Sequence, residues 1–426
     1  MEQIISIDES PLGISNETAY RSIESALTPY AGKIRRALVL PPDATRAFSG
    51  IGRIVARVIE TLSEFCDVDV MPTLGTHAAM TADEVRAMFG GAVDPGQLIY
   101  HNWREDTAKL GEIPGAVVNE ATEGLFSDPI DVEINRRLLN PAYGLIVSPG
   151  QVVPHEVAGM ANYSKNIFVG CGGPRMIQRT HLISAAAGLR RVLGKADTPV
   201  RRLFHYAQER FLSDMPLLYM LTVNTEHEGS PRLNGLYIGT GRGLFEQAAE
   251  QSARLNIHHL PKAYNHVVAF MEPDSYKTTW VGNKAIYRTC MMIAPGGELT
   301  VLAPGICGFG ESEPVDKLIR KYGYRGTRET LEAMRTSADL ADDEGAAAHM
   351  MNGSTDGLFT VTYAVERISR EDIESVGFKS SSYTDACACL GIDPRSKPLE
   401  DGEYTDSEGN LFYYIGHPGA GLWMAD

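Results

Sequence analysis

Again and again the first half of the chain sets a short apolar run before a polar loop, and then a segment whose apolar residues recur every three to four positions. Ala37 to Leu40 (ALVL) leads through PPDATRAFSG into IGRIVARVIETLSEF. Val68 to Val70 runs into MPTLGTHAAM, after which Thr81 and Glu84 have capping-box spacing for the helix TADEVRAMF. Leu98 to Tyr100 reads as a further short strand before HNWRED, and Leu145 to Val147 as another, opening into the loop before His155. Pro174 to Leu193 reads as helix, with His181 inside it. Strand, polar loop, helix in this order predicts α/β architecture with a mostly parallel sheet. In such sheets ligands collect beyond the carboxyl ends of the strands, where Asp43, Arg46, His77 and His155 then fall.

Farther along, Tyr237 and Ile238 precede GTGRGLFEQAAEQSARL, a strand, glycine turn and helix, although GTGRG is too short to stand as a nucleotide fingerprint. A boundary is predicted near residues 270 to 285, where MEPDSYKTTWVGNK breaks the texture. CMMIAP and LTVLAP read as two strands about a GG turn, SEPVDKLI opens a helix, Phe359 to Ala364 alternates as a strand, and Ser369 with Asp372 signals a helix cap. The expected organisation is a larger N-terminal domain over residues 1–272, a smaller α/β C-terminal domain over 285–400, and a terminal segment, 401–426, returning to the N-terminal domain.

A length of 426 residues with 43% hydrophobic content suits two unequal cores rather than one. The formal charge of -15, from 54 acidic and 39 basic residues, repels nucleic acid and anionic membrane. The densest basic spots, Arg35 with Arg36, Arg190 with Arg191 and Arg201 with Arg202, read as solvated faces or a few ion pairs. Six scattered cysteines lack zinc-knuckle spacing and fit a reducing compartment. The opening MEQIISIDES has no export-signal pattern, and no apolar run is long enough to cross a bilayer, so a cytoplasmic protein is expected.

The richest chemistry lies in Gln151 to His181, where His155 and His181 bracket the lone Lys165 among glycine, proline and serine. These side chains offer a proton-transfer group, an amine nucleophile and a soft-metal ligand. Asp43, Thr45 and Arg46 can hold an anion and sugar hydroxyls, or can simply cap the next helix. His77, after Gly75 and Thr76, is an acid/base group or a loop residue satisfied by hydrogen bonds. For His181 the plain reading is a buried, hydrogen-bonded imidazole, and the alternative is a ligand to nickel, copper or zinc. Trp280 and Lys284, four apart, can share one helical face over a ligand, or be a packed aromatic beside a surface lysine. Arg104 can meet a second carboxylate or sugar hydroxyls, or form an ordinary salt bridge.

Taken together, DATR at Asp43 to Arg46, GTH at Gly75 to His77, PHEVAGMANYSKNIFVG from Pro154 to Gly170, His181 and the region of Lys284 resemble the nickel-pincer-dependent lactate racemase family over nearly the whole chain. The resemblance implies two domains with the active site in the cleft between them. It also implies a nickel-pincer nucleotide, the nickel complex of pyridinium-3-thioamide-5-thiocarboxylic acid mononucleotide. Lys165 then matches the lysine that tethers the cofactor through a thioamide, and His181 the nickel ligand. His77 and His155 match the pair that exchanges the hydroxyl proton. Asp43, Thr45 and Arg46 match the cofactor and anion loop, with Arg46 and Lys284 near the substrate carboxylate.

The activity so implied is racemisation or epimerisation of a 2-hydroxy acid by reversible hydride transfer to the cofactor, and cofactor-biosynthesis enzymes become partners. A homo-oligomer is compatible with it. Departures stand at Ala47, where the family often has proline, at Ala78, where arginine is common, and at Trp280 and Val281 in place of tyrosine and glutamine. Losing a hydroxyl and an amide while gaining apolar area favours a substrate bulkier than lactate. Two alternatives stay open: an epimerase of a longer sugar acid or other secondary alcohol, and a catalytically idle protein that keeps the cofactor pocket.

Overall fold

The computed structural model describes residues 3–419 and 421–425. The chain divides into two compact units, Met1–Thr180 with Val192–Asn256, and His181–Arg191 with Ile257–Asp426. Each is α/β. The boundary therefore falls at Asn256 rather than near residue 272, and it also cuts the helix Pro174–Ala187 at Thr180.

The first unit is built on strands β1 (Ile4–Ile7), β2 (Arg36–Val39), β3 (Asp67–Val70), β4 (Leu145–Gln151), β5 (Leu217–His227) and β6 (Ser230–Gly239), in the sheet order β1-β6-β5-β4-β2-β3. The pairs β5/β4, β4/β2 and β2/β3 are parallel, and the two pairs at the β1 edge are antiparallel. Ala37, Leu38 and Val39 are fully buried on both faces, as a parallel strand covered by helices requires. The helix Ile51–Ser63 covers one face because Ile51, Ile54, Val55, Val58, Ile59 and Leu62 form a single apolar stripe at helical spacing. Gly52 lets that helix approach its neighbour Ala82–Phe89: a β-carbon there would lie 1.8 Å from the Met88 carbonyl oxygen. The capping box of Thr81 and Glu84 forms as the spacing predicts.

From β2 the chain moves outward to β3, then returns to the other side of β2 for β4 and continues away to β5. The direction of winding reverses between β2 and β4. The carboxyl ends of these two strands thus flank the crevice where α/β sheets hold ligands.

The second unit is built on β7 (Tyr264–Phe270), β8 (Ile293–Leu302), β9 (Thr360–Val365), β10 (Lys379–Ser382), β11 (Gly402–Thr405) and β12 (Leu411–Ile415), in the order β10-β9-β8-β7-β12-β11. All pairs are parallel except β12/β11. Among the described residues, the terminal segment 401–426 groups with the second unit. Its alternating Leu411–Ile415 adds to the edge of this second sheet beside β7, and Leu422–Ala425 pairs with Ile257–Leu260.

Two strand expectations also change. CMMIAP and LTVLAP do not form a hairpin: β8 runs through Gly296 and Gly297, its partner register jumping from Ile293 opposite Tyr264 to Glu298 opposite His266, so the extra residues form a bulge. Leu98 to Tyr100 is not a strand; Ile99 gives one backbone hydrogen bond to Val70 and the chain turns away. No helix of the described residues is long and apolar enough to cross a membrane.

Candidate active site

Loops after β2, β3 and β4 carry most of the candidates. After β2, Pro41 and Pro42 lead to Asp43, which is buried and caps the 3-10 helix Ala44–Ser49. Its Oδ1 accepts from the Thr45 backbone N–H at 3.1 Å and the Thr45 hydroxyl at 2.5 Å. Its Oδ2 lies 2.5 Å from Nδ1 of His77, in the loop after β3. Burial would raise the Asp43 carboxyl, but the hydrogen bond and charge of His77, with Thr45 and Arg46, outweigh it and hold the group below the usual carboxylate range. An ionised carboxylate only accepts, so Nδ1 of His77 donates and the neutral ring keeps its lone pair on Nε2. One carboxylate oxygen of Asp43 thus caps the helix, as the plain reading has it, while the other faces His77.

His77 is exposed, and glycine is what brings its loop into place. Gly75 adopts φ +57° and donates its N–H to the Gly170 carbonyl at 2.9 Å. At Gly170 an added β-carbon would sit 2.6 Å from that of Thr73. The β3 loop thus packs directly on the chain that follows Lys165.

After β4 the chain makes a tight antiparallel turn in which Pro154 pairs with Met160 and His155 with Gly159, the latter at φ +76°. His155 is buried, and its Nδ1 accepts the Val157 backbone N–H at 3.0 Å. That fixes the hydrogen of the neutral ring on Nε2. Glu156 approaches the same Nδ1 at 4.0 Å. The two histidines are thus held in opposite tautomers, His77 with a lone pair at Nε2 and His155 with a hydrogen there.

Lys165 precedes a single π-helical turn, Asn166–Gly170, and is half-buried. Desolvation of its ammonium and the neighbouring Arg46 guanidinium lower its pKa to about 8; Arg201 adds to this, while Glu156 and Asp43 oppose it. At neutral pH about a tenth of such an amine is uncharged, against roughly one in 2,500 for an ordinary lysine. Asp43, Thr45, Arg46, His77, Glu156, His155 and Lys165 are thereby linked by hydrogen bonds, an ion contact or mutual charge effects.

Arg104 is not drawn into this group. It is exposed, with its guanidinium carbon 3.8 Å above the ring of its neighbour Trp103. His181, Trp280 and Lys284 belong to the second unit. Trp280 lies in the short helix Thr279–Gly282 and Lys284 opens the next, Lys284–Thr289, with Nζ 6.0 Å from the Tyr276 ring centroid. The Trp280 indole stacks on buried His349 at 3.9 Å, and both imidazole nitrogens of His349 meet tyrosine hydroxyls, of Tyr287 and Tyr324, at 3.0 Å. Burial pushes the His349 pKa down to about 3, so the ring is a neutral floor for the indole. A cavity of about 440 Å³ bordered by Tyr163, His205, Gln208 and Arg242 contains none of the candidates.

Sequence reasoning missed the Asp43–His77 pair, Glu156, His349 and the buried Arg201. Only Asp43 had a visible signal, a carboxylate directly after a strand that neighbours the one before His77.

Fold and site together define an open α/β protein in which carboxylate, imidazole and amine side chains lie in loops at the carboxyl ends of strands around a winding reversal. Residues 17–190 match the family model of the lactate racemase N-terminal domain. No curated protein matches it. A crystal structure of a Thermotoga maritima protein superposes with a TM-score of 0.80 at 21% identity, covering 97% of this chain and 99% of that one. The lactate racemase apoprotein of Thermoanaerobacterium thermosaccharolyticum superposes with a TM-score of 0.66 at 15% identity, over 97% and 90% of the two chains. At these identities the two structures speak for the fold.

Proposed function

We propose that the protein is a racemase or epimerase of a 2-hydroxy acid that works with a nickel-pincer nucleotide tethered to Lys165. The observation that carries the reading is the loop cluster itself: an Asp43-oriented His77, an oppositely polarised His155 and a depressed-pKa lysine on adjoining strand ends. The family match over 17–190 supports the chemistry to which the cluster is put.

The residues fit that group. Lys165 is an amine that is easily made neutral, and Arg46 beside it supplies charge for a phosphate or carboxylate. Among the described residues no three His, Cys, Asp or Glu side chains gather to hold a metal ion, so a metal held by His181 must bring its other donors with it, as a pincer ligand does. When bound, the nucleotide supplies the acceptor for the hydrogen on the hydroxyl-bearing carbon. The protein's own part is proton traffic and orientation. His77 Nε2 takes the hydroxyl proton, and the resulting imidazolium is stabilised by Asp43. His155 presents Nε2–H to an oxygen of the substrate. For His155 to act as the acid in the opposite direction, its Nδ1 must give up the Val157 N–H and gain a proton facing Glu156. Arg46 and Lys284 are assigned to the substrate carboxylate and Trp280 to its side chain, these last two by resemblance alone. Arg104, stacked on Trp103, is kept only as an outlying contact for a longer acid.

The reading carries with it cofactor-making enzymes as partners, a small-molecule substrate, no nucleic acid or membrane partner, and a cytoplasmic setting. The test is co-expression with the cofactor-making enzymes, intact-mass measurement, then a panel of chiral 2-hydroxy acids followed by optical activity. A cofactor mass on Lys165 with inversion of at least one acid is expected. Loading without inversion of any acid would favour the idle cofactor-binding protein, and inversion confined to sugar acids the epimerase.

A further inference from the structure

Immediately before Lys165 the backbone does something that side chains resist. Asn162 and Tyr163 both adopt left-handed conformations, with φ of +67° and +58°. Neither is glycine, so each costs free energy that its surroundings must offset. Asn162 caps the turn locally, its Oδ1 accepting the Tyr163 N–H at 2.6 Å. Tyr163 is anchored by stacking on Phe245, centroids 5.3 Å apart, and by Gln208, which donates to its hydroxyl at 2.5 Å.

The third anchor is Arg201, in the first turn of the helix Pro199–Phe211 and wholly inaccessible to solvent. Its guanidinium donates to the carbonyls of Met160 at 2.5 Å and Asn162 at 3.3 Å, and to the Ser164 hydroxyl at 3.2 Å. It therefore grips the chain on both sides of the left-handed pair, and Ser164 adjoins Lys165. Among the described residues no carboxylate pairs with it, its Nε has no partner, and the rings of Phe245 and Phe204 lie 4.2 and 5.8 Å from the guanidinium carbon. A buried cation without an anion is costly, and a plain structural clamp could be made from neutral amides. What a neutral clamp lacks is positive charge behind the lysine.

We propose that Arg201 is a positioning residue for Lys165: it holds the left-handed turn that aims the lysine, and its unneutralised charge keeps the Lys165 amine ready to react as a neutral nucleophile. The proposal rests on the reading of Lys165 as the cofactor tether. The lowered lysine pKa is in keeping with it, since burial, Arg46 and Arg201 all disfavour the ammonium while Glu156 and Asp43 favour it. Those four groups and the lysine are the charges that decide the titration.

The experiment uses the full chain without cofactor. Lysines are reductively methylated with carbon-13 formaldehyde, the Lys165 signal is assigned by its loss in Lys165→Ala, and its chemical shift is followed against pH. Wild type is expected to titrate near 8, Arg201→Lys close to wild type, and Arg201→Met at least half a pH unit higher. If Arg201→Met does not fold, Ser164→Ala, which removes one acceptor from the guanidinium, is expected to move the titration upward by less. An unchanged Lys165 titration in folded Arg201→Met, or in Ser164→Ala when the former does not fold, would overturn the proposal. A wild-type protein that never acquires a cofactor mass, yet shows these shifts, would instead remove the tether reading and leave Arg201's effect on the amine in place.

Discussion

Asp43→Asn isolates the histidine's polarity from everything else the carboxylate does. Two oxygens serve two partners in the wild type: Oδ1 caps the 3-10 helix through Thr45, and Oδ2 accepts from His77. An asparagine can keep its carbonyl oxygen on Thr45, so the cap survives and stability should change by less than about 1 kcal/mol. Its amide nitrogen then faces His77 Nδ1 and can only donate. The ring must answer by carrying its hydrogen on Nε2, the wrong tautomer for taking a proton there. It also loses the negative charge that stabilises the imidazolium. General-base catalysis contributes about 10²–10⁴-fold, and the substitution removes most of it, so turnover should fall by roughly 10²–10³-fold, or about 2.7–4 kcal/mol of barrier. The assay is the rate of loss of optical activity by enzyme with matched cofactor mass, with chemical denaturation as the stability control. Turnover within threefold of wild type at equal loading would refute the assignment of His77 as an Asp43-oriented base.

Lys165→Ala should abolish the covalent mass increment while leaving the unfolding midpoint close to wild type, checked by intact-mass spectrometry and denaturant titration. Gly170→Ala drives a β-carbon to 2.6 Å from that of Thr73 and should cost about 1–3 kcal/mol, read as a lower unfolding midpoint at constant m-value. For pH, burial lowers the folded-state pKa of His349 to about 3, against about 6.5 in an unfolded chain. The unfolded state therefore binds a proton that the folded state refuses. His349's share of stability is whole above about 6.5 and falls by up to about 1.4 kcal/mol per pH unit as pH drops toward 3. His349→Gln should flatten the pH dependence of stability by that slope, and an identical slope in the two proteins would contradict the buried neutral imidazole.

Apolar runs bounded by polar loops made the parallel core of the first unit legible, because strands buried on both faces need continuous apolar residues: Ala37 to Val39 and Leu145 to Val147 are where the pattern predicts. Capping spacing located helix starts at Thr81 and Ser369 for the same local reason. Pairing was not legible. Leu411–Ile415 shows its alternation in sequence, but which sheet edge it joins depends on a partner strand some 140 residues away, and here that partner is β7. Gly296 and Gly297 fit a turn equally well as a bulge, and only register with β7 decides. At the site, residue types were legible and their states were not. The lone-pair positions of His77 and His155 follow from Asp43 and from a backbone amide, neither of which a spacing reveals. Arg201 looked like one half of a solvated pair with Arg202; the structure buries the first and leaves the second to Asp197 at the surface.

Under the proposed function, the hydrogen on the inverted carbinol carbon is carried away and returned to that same carbon. Protein loaded with cofactor should be given one enantiomer of an accepted 2-hydroxy acid in heavy water, with optical activity and carbon-bound deuterium followed together. Complete loss of optical activity with no deuterium on the carbon is the expected result. Deuterium entering the carbon in step with inversion would mean that a protein base removes that hydrogen as a proton, and would contradict the account.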